Sequence, residues 1–165
     1  MADFKCPLDP PPLWCEKQCE KVDKNDPQSI RLYCLEESLV SFRREETPLP
    51  LNECRLLAEE ICKEYKSPIP EIKDGRGLKV AKCSFDGKKK LVIKLPRHLR
   101  YRIAVLHEAT HCVVQYHYRD KESGYQHHGP TYIRYLLDVY ARYLDIPIAT
   151  LERAATLFQL DFKPV

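Results

Sequence analysis

The sequence predicts an α+β fold with N-terminal helices, a small antiparallel sheet containing a hairpin, a buried helix, and C-terminal helices. Three observations carry that expectation. Apolar residues recur at helical spacing over about 27–66 and again over about 100–158. Between these stretches the period shortens to strand-like alternation around Asp86-Gly87, a strong hairpin-turn dipeptide. With 165 residues, 44% hydrophobic and 31% charged, the chain can bury a core and does not have the composition of a disordered one.

Residues 1–26 are expected to form an irregular arm, because Pro7, Pro10, Pro11 and Pro12 resist helix and sheet. Cys6, Cys15, Cys19 and Trp14 in the same stretch suggest that the arm docks on something. Residues 27–165 then form the main domain, with its core expected over 52–145. Asp26-Pro27 is an N-cap and first-turn pair, followed by Leu32, Leu35, Leu39 and Phe42 on a helix over about 27–44. Asn52 caps a second helix to about 66, with Cys54, Leu57, Ala58, Ile61 and Tyr65 as its stripe. Ile69-Pro70-Glu71-Ile72 is a short strand, and Pro70 favours an edge or a strand start. Leu78–Phe85 and Lys90–Leu95 form the hairpin; Leu91, Ile93 and Leu95 point inward, and Lys90, Val92 and Lys94 outward.

From about Arg100 to Tyr118 apolar residues surround the helical cylinder, as in a largely buried helix. A polar loop from Arg119 to His128 leads to Gly129-Pro130, which starts a helix with Ile133, Leu136, Leu137, Tyr140 and Leu144 as its core stripe. Arg134, Asp138 and Arg142 follow one another at i, i+4 on its other side. A last helix near 149–158 buries Leu151, Ala154, Ala155 and Phe158.

The overall charge of +3 conceals an uneven distribution. From Lys73 to Arg102 there are 11 basic residues and only Asp74 and Asp86, whereas 1–50 and 107–165 are slightly acidic. Lys79, Lys82, Lys88, Lys89, Lys90, Lys94, Arg97 and Arg100 therefore form either a lysine-protected sheet edge or a surface for phosphates, DNA included. The basic-then-apolar layout of an export signal and the roughly 20-residue apolar run of a membrane span are both missing. The expected setting is therefore the cytoplasm (a host's, for a viral chain), without membrane association and with reduced thiols. Cys54, Cys62 and Cys112 fall on helical core stripes and are read as small hydrophobes. Cys6, Cys15, Cys19 and Cys34 match no trusted zinc spacing.

The chemistry-bearing pattern is His107-Glu108-Ala109-Thr110-His111, inside the buried helix. Histidines at i and i+4 project from one face and can reach a single ion. Glu108, turned roughly 100° from His107, stands beside the ion without being a ligand. It is the expected general base for a zinc-bound water attacking a carbonyl carbon. A third ligand can come from His127 or His128 after the loop. His117 and His98 face elsewhere and are read as structural or surface residues. Tyr125 and Tyr132 are candidates to stabilise the transition state with a phenol, although packing is the commoner role.

The HExxH segment followed by His128-Gly129-Pro130-Thr131-Tyr132 resembles the SprT-like (Spartan-type) zinc metalloproteases. Their hallmark is an HExxH helix and then a His-Gly-Pro-x-aromatic segment opening the next helix. Similar segments occur in small phage and bacterial proteins classed only as metallohydrolases. The resemblance covers roughly residues 52–145 and rests on the two motifs. It implies a minimal zincin-like domain with one catalytic Zn2+ held by His107, His111 and His128, and Glu108 as general base. It also implies a protein substrate, with DNA-associated proteins among the targets of the family. No Cys follows Cys112, whereas many SprT-like proteins continue into a Cys-rich zinc ribbon. Two other functions fit the residues: a non-catalytic nucleic-acid-binding protein with a structural metal site, or a zinc hydrolase of a non-protein amide. Glu108 separates the first of these from catalysis, because a structural site has no need of a carboxylate there.

Overall fold

In the computed structural model, residues 26–43, 47–85, 90–118 and 127–162 are described, with the side chains of 41–43 left aside. The fold is mixed α+β, with five helices and one three-stranded sheet among the described residues. Contacts divide the chain into two compact units, residues 45–125 and residues 1–44 with 126–165. The expected arm lies outside the described residues, except for Asp26.

The 45–125 unit holds helix α2 (Leu51–Glu64), strands β1 (Glu71–Asp74), β2 (Lys82–Phe85) and β3 (Leu91–Leu95), and helix α3 (Arg102–Tyr118). Of the expected stripe of α2, Cys54, Leu57, Ala58 and Ile61 are buried, together with Cys62, whereas Tyr65 lies just past the helix end and is half-buried. The expected Asn52 cap is not made: Pro50 occupies the cap position, and no side chain caps the helix. Its other end closes on Lys66, a left-handed residue at φ 53°, with Ser67 N donating to Cys62 O at 2.8 Å. Glycine usually takes that position, but this chain has only 5.

The sheet order is β1-β3-β2, with β2 antiparallel to β3 and β1 parallel to it. The expectation of a purely antiparallel sheet is thus corrected by β1, which also starts two residues later than its Pro-containing sequence suggests. The hairpin pairs Phe85 with Leu91, and the residues of its turn, 86–89, lie outside those described. Leu91, Ile93 and Leu95 are buried and Lys90 and Lys94 exposed, in agreement with the alternation. Val92 is the exception at 3% exposure. β3 is the central strand, flanked by β1 and β2. Gly75 donates to Leu95 O at 3.0 Å, and a Cβ on it would meet Pro96 N at 2.6 Å. Only glycine allows that approach of the β1 end to the β3 end.

Helix α3 is fastened at both ends. Leu49 N donates to Arg100 O at 2.6 Å ahead of it, and His117 Nε2 lies 2.8 Å from Tyr65 O near its last turn. His117 is therefore structural, as its spacing predicts. Every residue from Val105 to Gln115 is buried, and within its unit the helix packs on α2, β2 and β3.

The second unit contains α1 (Ser29–Arg43), α4 (Pro130–Leu144) and α5 (Ile148–Leu157). Gly129 caps α4 in extended backbone with Pro130 in the first turn, and all five expected stripe residues are buried. Tyr140 donates its hydroxyl to Glu36 of α1 at 2.5 Å, which satisfies a phenol that is otherwise completely buried. Arg142 pairs with Asp138 at 3.2 Å as expected, while Arg134 reaches across to Glu152 of α5 at 2.6 Å. Leu151, Ala155 and Phe158 are buried, and Ala154 is half-buried.

Candidate metal centre

Two of the candidate ligands belong to α3. His107 and His111 stand one turn apart, and their Nε2 atoms lie 3.1 Å from each other. The rings meet edge to face with centroids 4.9 Å apart. Two nitrogens on a tetrahedral zinc at the usual Zn–N length of roughly 2.0–2.1 Å would be about 3.3 Å apart. The pair thus has the donor type and spacing that such an ion takes. Glu108, between them in sequence, is buried at 6% exposure. Thr110 turns its hydroxyl back onto Leu106 O at 2.8 Å, which keeps that polar group internal to the helix.

The second unit carries His128 just ahead of α4, buried at 6% exposure. Its Nδ1 lies 2.5 Å from Asp26 Oδ2. A carboxylate accepts, so Nδ1 donates and the lone pair falls on Nε2, the tautomer a metal-binding imidazole needs. Gln28 holds the same residue by its backbone, donating from Nε2 to His128 O at 3.0 Å. Gln28 Oε1 in turn accepts from Asp161 N at 2.5 Å. Tyr132 packs edge-on against the His128 ring with centroids 5.0 Å apart, and Tyr33 does so at 5.9 Å. The imidazole is thereby fixed in tautomer, backbone and ring plane. His127, the other candidate, is exposed.

His107 and His111 in one unit and His128 in the other are thus buried, and each offers one ring nitrogen of the kind a metal accepts. Asp26, Gln28 and Tyr33 were not singled out as site residues by sequence reasoning. Asp26-Pro27 has the signature of a helix cap, yet the Asp26 carboxylate is directed to a ring 102 residues away. Tyr125 lies outside the described residues, and Tyr132 is completely buried.

The basic segment is partly neutralised. Glu71 takes Lys73 at 3.3 Å and Lys90 at 3.4 Å, and these two lysines, Lys73 first, hold its carboxyl below the usual range. Arg100 pairs with Asp74 at 2.8 Å and donates to Leu95 O at 3.2 Å. Lys79, Lys82, Lys94 and Arg97 are exposed, and Lys88 and Lys89 lie outside the described residues. Beside this segment, within the 45–125 unit, a cleft of about 830 Å³ is lined by Arg76, Arg97, His98 and Arg100, with Asp74 as its one acidic group. Pro48, Leu49, Pro50, Leu78 and Pro96 supply its apolar walls. His98, an exposed residue of the short 3-10 turn Arg97–Leu99, belongs to this cleft.

No family model matches the chain, and neither a curated protein nor a solved structure is found similar to it. Among the described residues no helix is long and apolar enough to cross a membrane.

Proposed function

We propose that the chain is a zinc-dependent metallohydrolase, with one ion held by His107, His111 and His128 and with Glu108 as general base. The observation that carries this reading is the facing pair of Nε2 atoms at 3.1 Å on a buried helix, with a buried carboxylate between them in sequence. Burying two imidazoles and a carboxyl group is costly unless they are paired or bind a metal. The prepared His128, with Nδ1 committed to Asp26, supports its place as third ligand. Three protein ligands leave an open position, which distinguishes a catalytic zinc from a structural one.

When bound, zinc supplies Lewis acidity that polarises a carbonyl and lowers the pKa of water. Glu108 accepts the proton of the attacking water and returns it to the leaving amine. Asp26 holds His128 in the ligating tautomer, and the Tyr132 ring limits its rotation. The substrate we infer is a protein chain, cleaved internally, on the resemblance to SprT-like proteases. In the test, an unfolded protein such as casein is incubated with the zinc-loaded chain. Cleavage should stop with a chelator and return with added Zn2+. Turnover of small amides without casein cleavage would assign a non-protein substrate, and turnover of neither would remove the enzymatic reading.

The cleft favours a second reading, a phosphate-bearing partner such as DNA bound by the basic segment. Arg97 and His98 have no side-chain partner among the described residues, and Arg76 comes only within 3.9 Å of Asp74. The logarithm of the affinity for DNA should then fall linearly with the logarithm of salt concentration, and Arg97→Ala should reduce the slope by about 1. Absent or salt-insensitive binding would leave the segment as a lysine-protected sheet edge.

A further inference from the structure

Three cysteines that the proposed hydrolysis does not use come together in the 45–125 unit. Cys83 of β2 and Cys112 of α3 place their sulfurs 3.1 Å apart. Cys62, in the last turn of α2, is near enough to both to act on them electrostatically. Their accessibility differs. Cys62 and Cys112 are completely buried, while Cys83 is half-buried. Burial pushes the Cys62 thiol up to about 11. The two completely buried sulfurs are shielded from reagents in solution, so an oxidant enters this cluster at Cys83.

We propose that Cys83 and Cys112 are a redox modification site, closed into an intramolecular disulfide by a low-molecular-weight disulfide such as oxidised glutathione. Cys83, as thiolate, attacks one sulfur of the oxidant, forming a mixed disulfide and releasing one glutathione thiolate. Cys112 gives up its proton and attacks the Cys83 sulfur, forming the Cys83–Cys112 bond and releasing the second glutathione. Two protein thiols are oxidised and one glutathione disulfide is reduced to two thiols. The sulfurs need to approach by only about 1 Å to reach the disulfide length of roughly 2.05 Å. Cys112 is already positioned against the sulfur it attacks, and this proximity compensates for its low reactivity. Cys62 is the competing thiol, but no sulfur contact of its own places it against Cys83.

The bond ties β2 to the middle of α3, one residue beyond His111. This proposal is independent of the metal reading, because the contact lies wholly between thiols.

To test it, the reduced full-length chain is treated with oxidised glutathione under native conditions and samples are quenched over time. Remaining thiols are alkylated after unfolding, and a non-reducing digest is analysed by mass spectrometry. A glutathione adduct at Cys83 should appear first and be replaced by a peptide pair linked through Cys83 and Cys112. Cys83→Ser should leave Cys112 alkylated. The proposal is overturned if the Cys83 adduct persists while Cys112 is alkylated, if Cys62 is the cysteine joined to Cys83, or if neither Cys83 nor Cys112 reacts. These outcomes are read in the wild-type chain, so they do not depend on the variant folding.

Discussion

Glu108→Gln is expected to reduce hydrolysis by about 100- to 10,000-fold while zinc binding and the fold are retained. The substitution keeps the shape of a side chain buried at 6% exposure in the middle of α3, and it leaves both histidines of the facing pair in place. What it removes is the ability to accept a proton, which an amide cannot do at neutral pH. The measurement is the rate of casein cleavage beside zinc content and far-UV circular dichroism of the same preparation. If the rate survives with zinc bound, Glu108 is not the base and the mechanism fails. If zinc is lost as well, Glu108 acts on the metal or the fold instead.

The second large effect is expected at Asp26. Asp26→Ala should weaken zinc affinity about 10- to 100-fold, measured by competition with a chromophoric chelator. The ring would keep its backbone anchor through Gln28 and its packing on Tyr132, so the change isolates the hydrogen bond to Nδ1. Asp26→Asn is the sharper variant. Its amide can donate from Nδ2 or accept at Oδ1, so it restores a hydrogen bond without the charge that commits Nδ1 to donating. Asn should therefore recover at most part of the affinity that Ala loses. Full affinity in both the Asn and the Ala variants would show that the hydrogen bond to Nδ1 does not support the ligand.

Much of this arrangement is legible in the sequence where local rules dominate. The helix over 102–118 follows from apolar residues all round the cylinder, and the start of α4 follows from Gly129-Pro130. The facing of His107 and His111 is set by helix periodicity alone, so their juxtaposition follows from spacing i, i+4. His128 is buried and His127 exposed, a difference that their adjacency in the sequence does not reveal. Other features depend on contacts remote in sequence. Asp26 serves a residue 102 positions away, and nothing in Asp-Pro distinguishes that role from a helix cap. The parallel pairing of β1 with β3, which places Ile72 opposite Ile93, needs a crossover that alternation within either strand cannot reveal. Val92 looks like a solvent-facing position from the alternation, yet it is buried, which the strand's own sequence does not reveal. The basic run likewise reads as one surface, although Glu71 and Asp74 neutralise part of it.

The central claim is that three histidines hold one catalytic ion, and metal analysis tests it most directly. Wild type and His128→Ala are each loaded with Zn2+, passed through a desalting column, and assayed for zinc per chain by atomic emission. One zinc per wild-type chain and its loss from His128→Ala, with circular dichroism unchanged, is the predicted result. Equal zinc in both proteins, or none in the wild type, would contradict it.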